Sequence, residues 1–188
     1  WNWPERGGQV TPVHVYTSGD EAELFLNGKS LGRKTKQPKQ DYRLVWDDIK
    51  YEPGELKVVA YKTGKEWATD TVKTTGPADG LSLAADRAVI KADGLDLSFI
   101  TVRVVDTDGL TVPRAQNLVT FEIEGPGEVL AVDNGDPTSF EPFQASQHKA
   151  FNGLALVIVR GKRDQPGTFT VKAMAGGLKT AAVKIMTE

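Results

Sequence analysis

The stretch EAELFLNGKSLG, residues 21–32, decides the fold class. Leu24 and Leu26 lie on the strand face opposite Glu21 and Glu23, and this alternation predicts a half-buried β-strand. Asn27-Gly28 follows, a dipeptide suited to a type I′ hairpin because both central positions take a positive φ. Residues 30–36 are then predicted to return as the second strand, so the local structure is antiparallel β.

The same signals recur along the whole chain. Short alternating or apolar runs are separated by Gly, Pro, Asn and Asp, and no segment keeps a helical period for three turns. The remaining strands of the first half are predicted at residues 10–17, 42–46, 55–61 and 66–74, with a second hairpin through Thr63-Gly64-Lys65. Those of the second half are predicted at residues 81–85, 97–105, 118–124, 128–132, 151–160, 167–175 and 178–186. Residues 85–92 fit either a strand or one helical turn, and Asp108-Gly109 and Gly176-Gly177 are predicted as turns between paired strands.

A breaker-rich stretch at residues 75–80 divides these strands into two groups. Six strands before it and seven after it fit two small sandwiches. We therefore predict an all-β protein of two consecutive immunoglobulin-like β-sandwich domains, residues 1–76 and 77–188, the second with a long loop at residues 133–152.

Composition excludes several classes of function. The formal net charge is -2 and the pI is near 5.8, which argues against a nucleic-acid partner. The chain has no cysteine, hence no disulfide or thiolate chemistry, and no run of 18 apolar residues that would make a membrane a partner. The basic group Arg33, Lys34, Lys36 and Lys39 is interpreted as a solvated hairpin edge that discourages edge-to-edge pairing.

The segment DNGDPTSFEPFQASQHKAFN, residues 133–152, shows no strand period. Loops of this length in compact domains are usually functional or disordered, and the aromatics Phe140, Phe143 and Phe151 argue against disorder. We predict an ordered loop that offers polar side chains to something outside the domain: Asn134, Asp136, Ser139, Glu141 and His148.

The sequence contains no recognisable catalytic constellation. A glycosidase needs two carboxyl groups about 5 Å or roughly 6.5 to 9.5 Å apart across a substrate. Glu122 and Glu124 instead share the strand face opposite Phe121 and Ile123, which is typical of a solvated face. No Gly-x-Ser-x-Gly elbow or phosphate-binding glycine loop occurs, and a triad of His148 with Asp136 and Ser139 lacks a motif.

Metal and cofactor sites are not predicted either. Asp106-Thr107-Asp108-Gly109 mimics the start of a calcium loop but lacks its distal glutamate, so an ordinary β-turn is favoured. Asp133, Asn134 and Asp136 place three oxygen-bearing side chains together, which an Asx-turn at a strand end explains equally well. We therefore predict no metal and no cofactor.

Three stretches resemble a known family: Trp1-Asn2-Trp3, residues 15–32 and residues 133–152. They are similar to the C-terminal, non-catalytic domains of bacterial glycoside hydrolase family 2 enzymes of the β-galactosidase type. The resemblance implies a parent enzyme whose sugar-binding-like sandwich, immunoglobulin-like domain and (β/α)8 barrel with two catalytic glutamates precede Trp1. The start without Met is consistent with a piece of a longer protein.

The resemblance also sets the functional expectations. The chain alone is expected to be an accessory region without turnover. Its expected partners are the catalytic barrel of the parent chain and β-galactosides, with homo-oligomerisation and a periplasmic or extracellular location in the parent. Carbohydrate or barrel contacts are predicted for Asn134, Asp136, Phe140, Glu141, Phe143 and His148. The resemblance implies that Phe140, Phe143 and Phe151 could stack on sugar rings; the alternative is that they bury against the sandwich and close its open end.

Three alternatives stay open. An independent carbohydrate-binding module would present a row of exposed aromatics, with Trp46, Tyr61 and Trp67 as further candidates. A structural adhesin-like immunoglobulin spacer would need only the strand pattern. At the start of the chain, the tryptophans at positions 1 and 3 either pack against the barrel or form a frayed terminus.

Overall fold

A computed structural model describes residues 1–37 and 42–188, and Lys39 of the basic group lies outside these ranges. In the described part, the regular elements are fifteen β-strands and one short 3₁₀ helix, Pro4–Arg6. The all-β prediction is confirmed. The chain divides into two compact units, Trp1–Thr74 and Thr75–Glu188. None of the described residues forms a helix long and apolar enough to cross a membrane.

The described residues of unit 1 form six antiparallel strands in two sheets. One sheet pairs β1 with β4, and the other has the order β3-β2-β5-β6. Alternation on β1, β2 and β4 sends every second side chain inward, where they pack around the buried Trp46. The strand bounds are β1 Val13–Tyr16, β2 Glu21–Leu26, β3 Lys29–Thr35, β4 Arg43–Trp46, β5 Glu55–Lys62 and β6 Lys65–Lys73.

The predicted type I′ hairpin joins β2 to β3. Asn27 has φ 51° and Gly28 has φ 78°, the left-handed values that this turn requires. The Asn27 side chain also accepts a hydrogen bond from the Glu55 N–H at 2.9 Å and donates one to Pro53 O at 3.1 Å. The turn therefore fixes its own hairpin and anchors it to the start of β5.

The described members of the basic group, Arg33, Lys34 and Lys36, lie on the edge strand β3 or directly after it, as predicted. Arg33 pairs with Glu21 at 2.5 Å, and its guanidinium lies 3.7 Å from the centre of the Tyr61 ring. Lys34 donates to the Val45 carbonyl at 2.7 Å. These cations contact neighbouring groups while β3 stays almost wholly exposed.

Unit 2 contains nine strands in two sheets, two more than the sequence predicted. One sheet has the order β12-β10-β14-β15-β8 and the other β11-β13-β9-β7. The additional strands are β8, which pairs in parallel with β15, and β12, which pairs with β10. Strand β8 lies in residues 85–92, which the sequence left open between a strand and one helical turn. The bounds are β7 Gly80–Ala85, β8 Val89–Ile90, β9 Leu97–Val105, β10 Leu118–Glu124, β11 Gly127–Asp133, β12 Gln147–Lys149, β13 Leu154–Gly161, β14 Gly167–Ala175 and β15 Ala181–Thr187.

The prediction that Asp108-Gly109 turns between paired strands is wrong. The flanking strands β9 and β10 belong to different sheets, and the turn closes only an isolated bridge between Val105 and Thr111. The buried Asp106 carboxylate accepts the N–H groups of Asp108 at 3.0 Å and Leu110 at 2.9 Å. This is the ordinary turn that was favoured over a calcium loop.

The face of β10 opposite the core is solvated, as predicted. Phe121 is buried, whereas Glu122 and Glu124 are exposed on the other face, where Lys172 on β14 pairs with Glu124. Two carboxylates side by side on one exposed strand face do not flank a substrate as a glycosidase pair would.

Candidate functional site

The loop at residues 133–152 connects the two sheets of unit 2. It leaves β11 at Asp133 and returns through β12, whose middle residue His148 pairs with Val119 on β10. The prediction of a loop without strands over residues 133–152 is wrong at β12, which is too short to show a period. The segment ends in a tight turn with Asn152 at φ 52° and Gly153 at φ 78°.

A series of local hydrogen bonds orders the first half of the loop. Asp133 Oδ1 accepts the N–H groups of Asn134 at 2.6 Å and Gly135 at 3.1 Å. Asn134 Oδ1 accepts the Asp136 N–H at 2.8 Å, and Asp136 Oδ1 accepts the N–H of Thr138 at 2.9 Å and its hydroxyl at 2.7 Å. The predicted Asx-turn at Asp133 is therefore the first of several successive side-chain-to-backbone turns.

Glu141 ties the first half of the loop to β12. Its Oε2 accepts the Lys149 N–H at 3.1 Å and lies 3.4 Å from His148 Nδ1, while its Oε1 lies 3.5 Å from Lys149 Nζ. The Lys149 backbone N–H lowers the pKa of the Glu141 carboxyl, with further help from the charges beside it. Asn134 Nδ2 donates to Lys149 O at 3.0 Å, so Lys149 is held from two sides.

His148 does not face the exterior. The imidazole is only 1% exposed, and its Nδ1 lies 3.1 Å from Lys149 O. Within residues 1–37 and 42–188, its buried Nε2 has no hydrogen-bond partner. The expectation that this loop offers His148 outward is therefore wrong, because pairing of β12 with β10 turns the middle residue inward. Its contacts are with Glu141 and Lys149, not with the Asp136 and Ser139 that a triad would need.

The phenylalanines of the loop are more exposed than burial against the sandwich would leave them. The exposed fraction of Phe140 is 101% and that of Phe143 is 61%, whereas Phe151 is half-buried. The interpretation that all three close the end of the sandwich is wrong for Phe140 and Phe143. Backbone hydrogen bonds order this part instead: Val132 N–H donates to Phe143 O at 2.8 Å.

Four of the six predicted site residues line one cavity of about 280 Å³. They are Asn134, Asp136, Phe140 and Glu141, and Gln116 and Lys149 add polar groups from neighbouring segments. Sequence reasoning did not single out Gln116, which precedes β10 and comes to the loop only through the fold. Phe143 and His148 do not line this cavity.

The cavity carries ionised carboxylates at neutral pH. The Thr138 hydroxyl and backbone N–H hold the pKa of Asp136 below its usual range, as Lys149 does for Glu141. Lys149 supplies a positive charge and Gln116 an amide. The site therefore combines hydrogen-bonding groups of both kinds with an exposed aromatic ring. Such a set can recognise a polar, hydroxylated molecule.

The further aromatic candidates do not form a row of exposed rings. Trp46 is buried, Tyr61 is half-buried beneath Arg33, and Trp67 is exposed on β6 with Lys62 over its ring at 4.7 Å.

The start of the chain is not frayed. The Trp1 ring packs on Tyr51 with centroids 4.9 Å apart, and Trp1 Nε1 donates to Glu52 O at 2.7 Å. Trp3 also meets Tyr51 edge-on. The frayed-terminus alternative is therefore wrong, and packing against a barrel stays a prediction.

Across residues 1–37 and 42–188, no three His, Cys, Asp or Glu side chains converge in a group suited to a cation. Asp133 and Asp136 instead use their carboxylates to bind the backbone of their own loop.

Comparison with known protein families gives a match in each of the two units. Residues 81–184 match the family model "Glycoside hydrolase family 2 C-terminal domain 5", and residues 8–68 match "Domain of unknown function (DUF4982)". The beta-galactosidase BoGH2A of Bacteroides ovatus is 40% identical over 188 residues, 100% of this chain and 22% of that protein. A beta-glucuronidase of Formosa agariphila is 28% identical over 187 residues, 98% of this chain and 19% of that protein.

Comparison with solved structures gives the same family. A solved glycosyl hydrolase family 2 member from Bacteroides cellulosilyticus superposes with a TM-score of 0.95 and 37% identity, covering 100% of this chain and 24% of that one. The chain thus spans only about a fifth of the length of the curated relatives it matches. Since the first family model covers more than half of the chain, this chain belongs to glycoside hydrolase family 2 and comprises C-terminal β-sandwich domains of that family.

Proposed function

We propose that the chain is the accessory C-terminal region of a glycoside hydrolase family 2 β-galactosidase, where it supports domain packing or substrate access. The observation that carries this proposal is the match of the whole chain to BoGH2A at 40% identity. The catalytic barrel of the parent chain would be its partner and β-galactosides the substrates.

The geometry of the described residues supports an accessory role. Glu122 and Glu124 share one exposed strand face, and the loop carboxylates of Asp133, Asp136 and Glu141 bind N–H groups of the loop itself. A rigid sandwich that carries an ordered loop is a suitable scaffold for contacts with another domain or a ligand. Family membership also favours this role over that of an adhesin-like spacer, for which a specialised loop has no use.

The test compares the full-length parent enzyme, the same enzyme without this region, and the isolated chain. We expect the full-length enzyme to hydrolyse a chromogenic β-galactoside faster than the matching β-glucuronide. The isolated chain should give no turnover, and the truncated enzyme should lose kcat/KM or thermal stability. Turnover by the isolated chain that survives removal of host enzymes would contradict the proposal. So would a truncated enzyme with unchanged kcat/KM and melting temperature.

Two further parts of the proposal concern the parent protein. Homo-oligomerisation predicts a sedimentation coefficient above that of a monomer for the full-length enzyme. A periplasmic or extracellular location predicts that cell fractionation recovers the activity outside the cytoplasm. A monomeric full-length enzyme would contradict the proposed homo-oligomerisation. Activity confined to the cytoplasmic fraction would contradict the proposed periplasmic or extracellular location.

A further inference from the structure

We propose that the cavity beside Phe140 is a carbohydrate-binding subsite for a neutral pyranoside. The inference deepens the accessory role and rests on it for the choice of a β-galactoside as ligand. The site itself is argued from an exposed ring, a set of polar groups, their rigidity and their charge.

The Phe140 ring is the first argument. A fully exposed phenylalanine forgoes about 1.5 to 3 kcal/mol of burial free energy, so an ordered loop gains no stability by presenting it. The π face of the ring carries partial negative charge and attracts the C–H groups on one side of a pyranose. Phe143 is also exposed but does not line the cavity, which makes it a suitable control.

The polar lining supplies the second argument. The N–H and the hydroxyl of Thr138 both donate to Asp136 Oδ1. Within the described residues no hydrogen bond or ion pair engages Asp136 Oδ2, which leaves that oxygen to accept a hydrogen bond. The exposed Gln116 amide can donate and accept, and Lys149 Nζ can donate. Sugar hydroxyls both donate and accept, so this set matches a hydroxylated ligand better than an apolar one.

The third argument is rigidity. Asn134 uses its side-chain oxygen and nitrogen to hold Asp136 and Lys149, and Glu141 holds Lys149 from the other side. Binding therefore orders few additional groups. A shallow polar site can bind a ligand when the entropic cost of ordering its side chains has already been met by folding.

Charge selects among sugars. Glu141 is balanced by Lys149, whereas the Asp136 carboxylate is bound only by the hydroxyl and N–H of Thr138. An ionised Asp136 repels the carboxylate of a uronic acid and leaves a neutral sugar unaffected. The subsite should therefore prefer a β-galactoside to a β-glucuronide.

The experiment is an amide NMR titration of the 188-residue chain with methyl β-D-galactopyranoside and with methyl β-D-glucuronide. We expect saturable shifts of residues 134–141 and 149 with the galactoside, at a Kd on the order of millimolar, and weaker binding of the glucuronide. Phe140→Ala should weaken binding about tenfold or more, while Phe143→Ala should leave it within about twofold. Asp136→Asn should reduce the difference between the Kd values of the two sugars.

Three results would overturn the proposal: no saturable shifts up to about 100 mM galactoside, equal effects of the two Phe substitutions, or tighter binding of the glucuronide. These failures are distinguishable from failure of the accessory role. If the isolated chain binds no sugar but the truncated parent still loses kcat/KM, the accessory role stands and the subsite does not.

Discussion

Replacing Glu141 by Ala should release the loop at residues 133–152 while leaving the rest of unit 2 folded. Glu141 is the one side chain among the described loop residues that meets a backbone N–H, an imidazole and an ammonium group on β12. Its removal leaves the hydrogen bonds of the Asp133 and Asp136 turns intact. The effect should therefore concentrate on the attachment of the loop to β12.

The magnitude follows from these contacts. A hydrogen bond to a charged group contributes about 1.5 to 3 kcal/mol, and the lower end applies because the Glu141 side chain is partly solvated. The exposed pair with Lys149 adds roughly 0.2 to 1 kcal/mol. A loss of about 2 kcal/mol corresponds to roughly 30-fold more frequent opening of the loop. Glu141→Gln keeps an acceptor for the Lys149 N–H and should lose about half as much.

Native-state hydrogen exchange measures this directly, with the Lys149 amide as the principal reporter. Glu128→Ala is the matched control, because Glu128 belongs to the same unit and pairs with Arg160 at 2.7 Å through side chains alone. We expect faster exchange of the backbone amides of Lys149 and of residue 141 in Glu141→Ala, and little change at either position in Glu128→Ala.

Unchanged exchange at Lys149 in Glu141→Ala would refute this reasoning. Equal acceleration of the β9 and β13 amides would also do so, since it would mean that Glu141 supports the whole unit rather than the loop.

Three other predictions concern stability and pH. Gly153→Ala should cost more than Gly177→Ala in urea unfolding of unit 2. Both glycines have a positive φ, which costs an alanine about 1 to 2 kcal/mol of stability. Only at Gly153 would the new Cβ also meet a backbone oxygen, that of Val112, at 2.3 Å. Equal losses of stability in the two variants would contradict the clash. Phe169→Ala should destabilise unit 2 by about 3 to 5 kcal/mol because the ring is fully buried there. The unfolding of unit 1, which has its own core, should be unchanged by calorimetry, and a shift of both transitions would argue against separate cores. Finally, the pKa values of the Glu141 and Asp136 carboxyl groups are lowered in the folded chain. Their contributions to stability are therefore complete above the ordinary pKa values of 4.5 and 3.8. These contributions are lost as the pH falls through the lowered pKa values of the folded chain. The urea midpoint of unit 2 should therefore fall less between about pH 6 and about pH 3 in Glu141→Gln than in the unsubstituted chain. An identical fall would exclude Glu141 as a contributor to the pH dependence of stability.

The sequence predicted the fold wherever a strand was long enough to show its period. The pattern of β2 and Asn27-Gly28 specified the first hairpin down to its turn type. Strand β12, which was missed, has three residues, and β8, which lies in the segment left open between a strand and one helical turn, has two. Neither is long enough to show an alternation. Assignment of strands to sheets was also beyond the sequence, and the turn at Asp108-Gly109 was misassigned for that reason.

The candidate site was predictable in its polar part and not in its aromatic part. Asp133, Asn134 and Asp136 have a strong local preference for Asx-turns, which needs no tertiary information. The inward position of His148 depends on pairing with Val119, a partner distant in sequence. The exposure of Phe140 runs against the general preference for burial, so only the fold could show it. Asn152-Gly153 carries the Asn-Gly signal of a tight turn, which the prediction of one loop over residues 133–152 did not use.

The exposure of Phe140 and the local order of its loop belong together. A phenylalanine in a mobile loop would collapse onto the nearest apolar surface, because burial stabilises it by about 1.5 to 3 kcal/mol. The turns at Asp133 and Asp136 prevent this by fixing the backbone before and within the loop, and Glu141 fixes it directly after Phe140. The hydrogen bonds thus keep the ring in water and keep the cavity beside it open. A surface contact for the ring, whether a sugar or another domain, would recover the burial energy that the loop forgoes, and the Glu141→Ala variant should weaken that contact even though Glu141 need not touch the ligand.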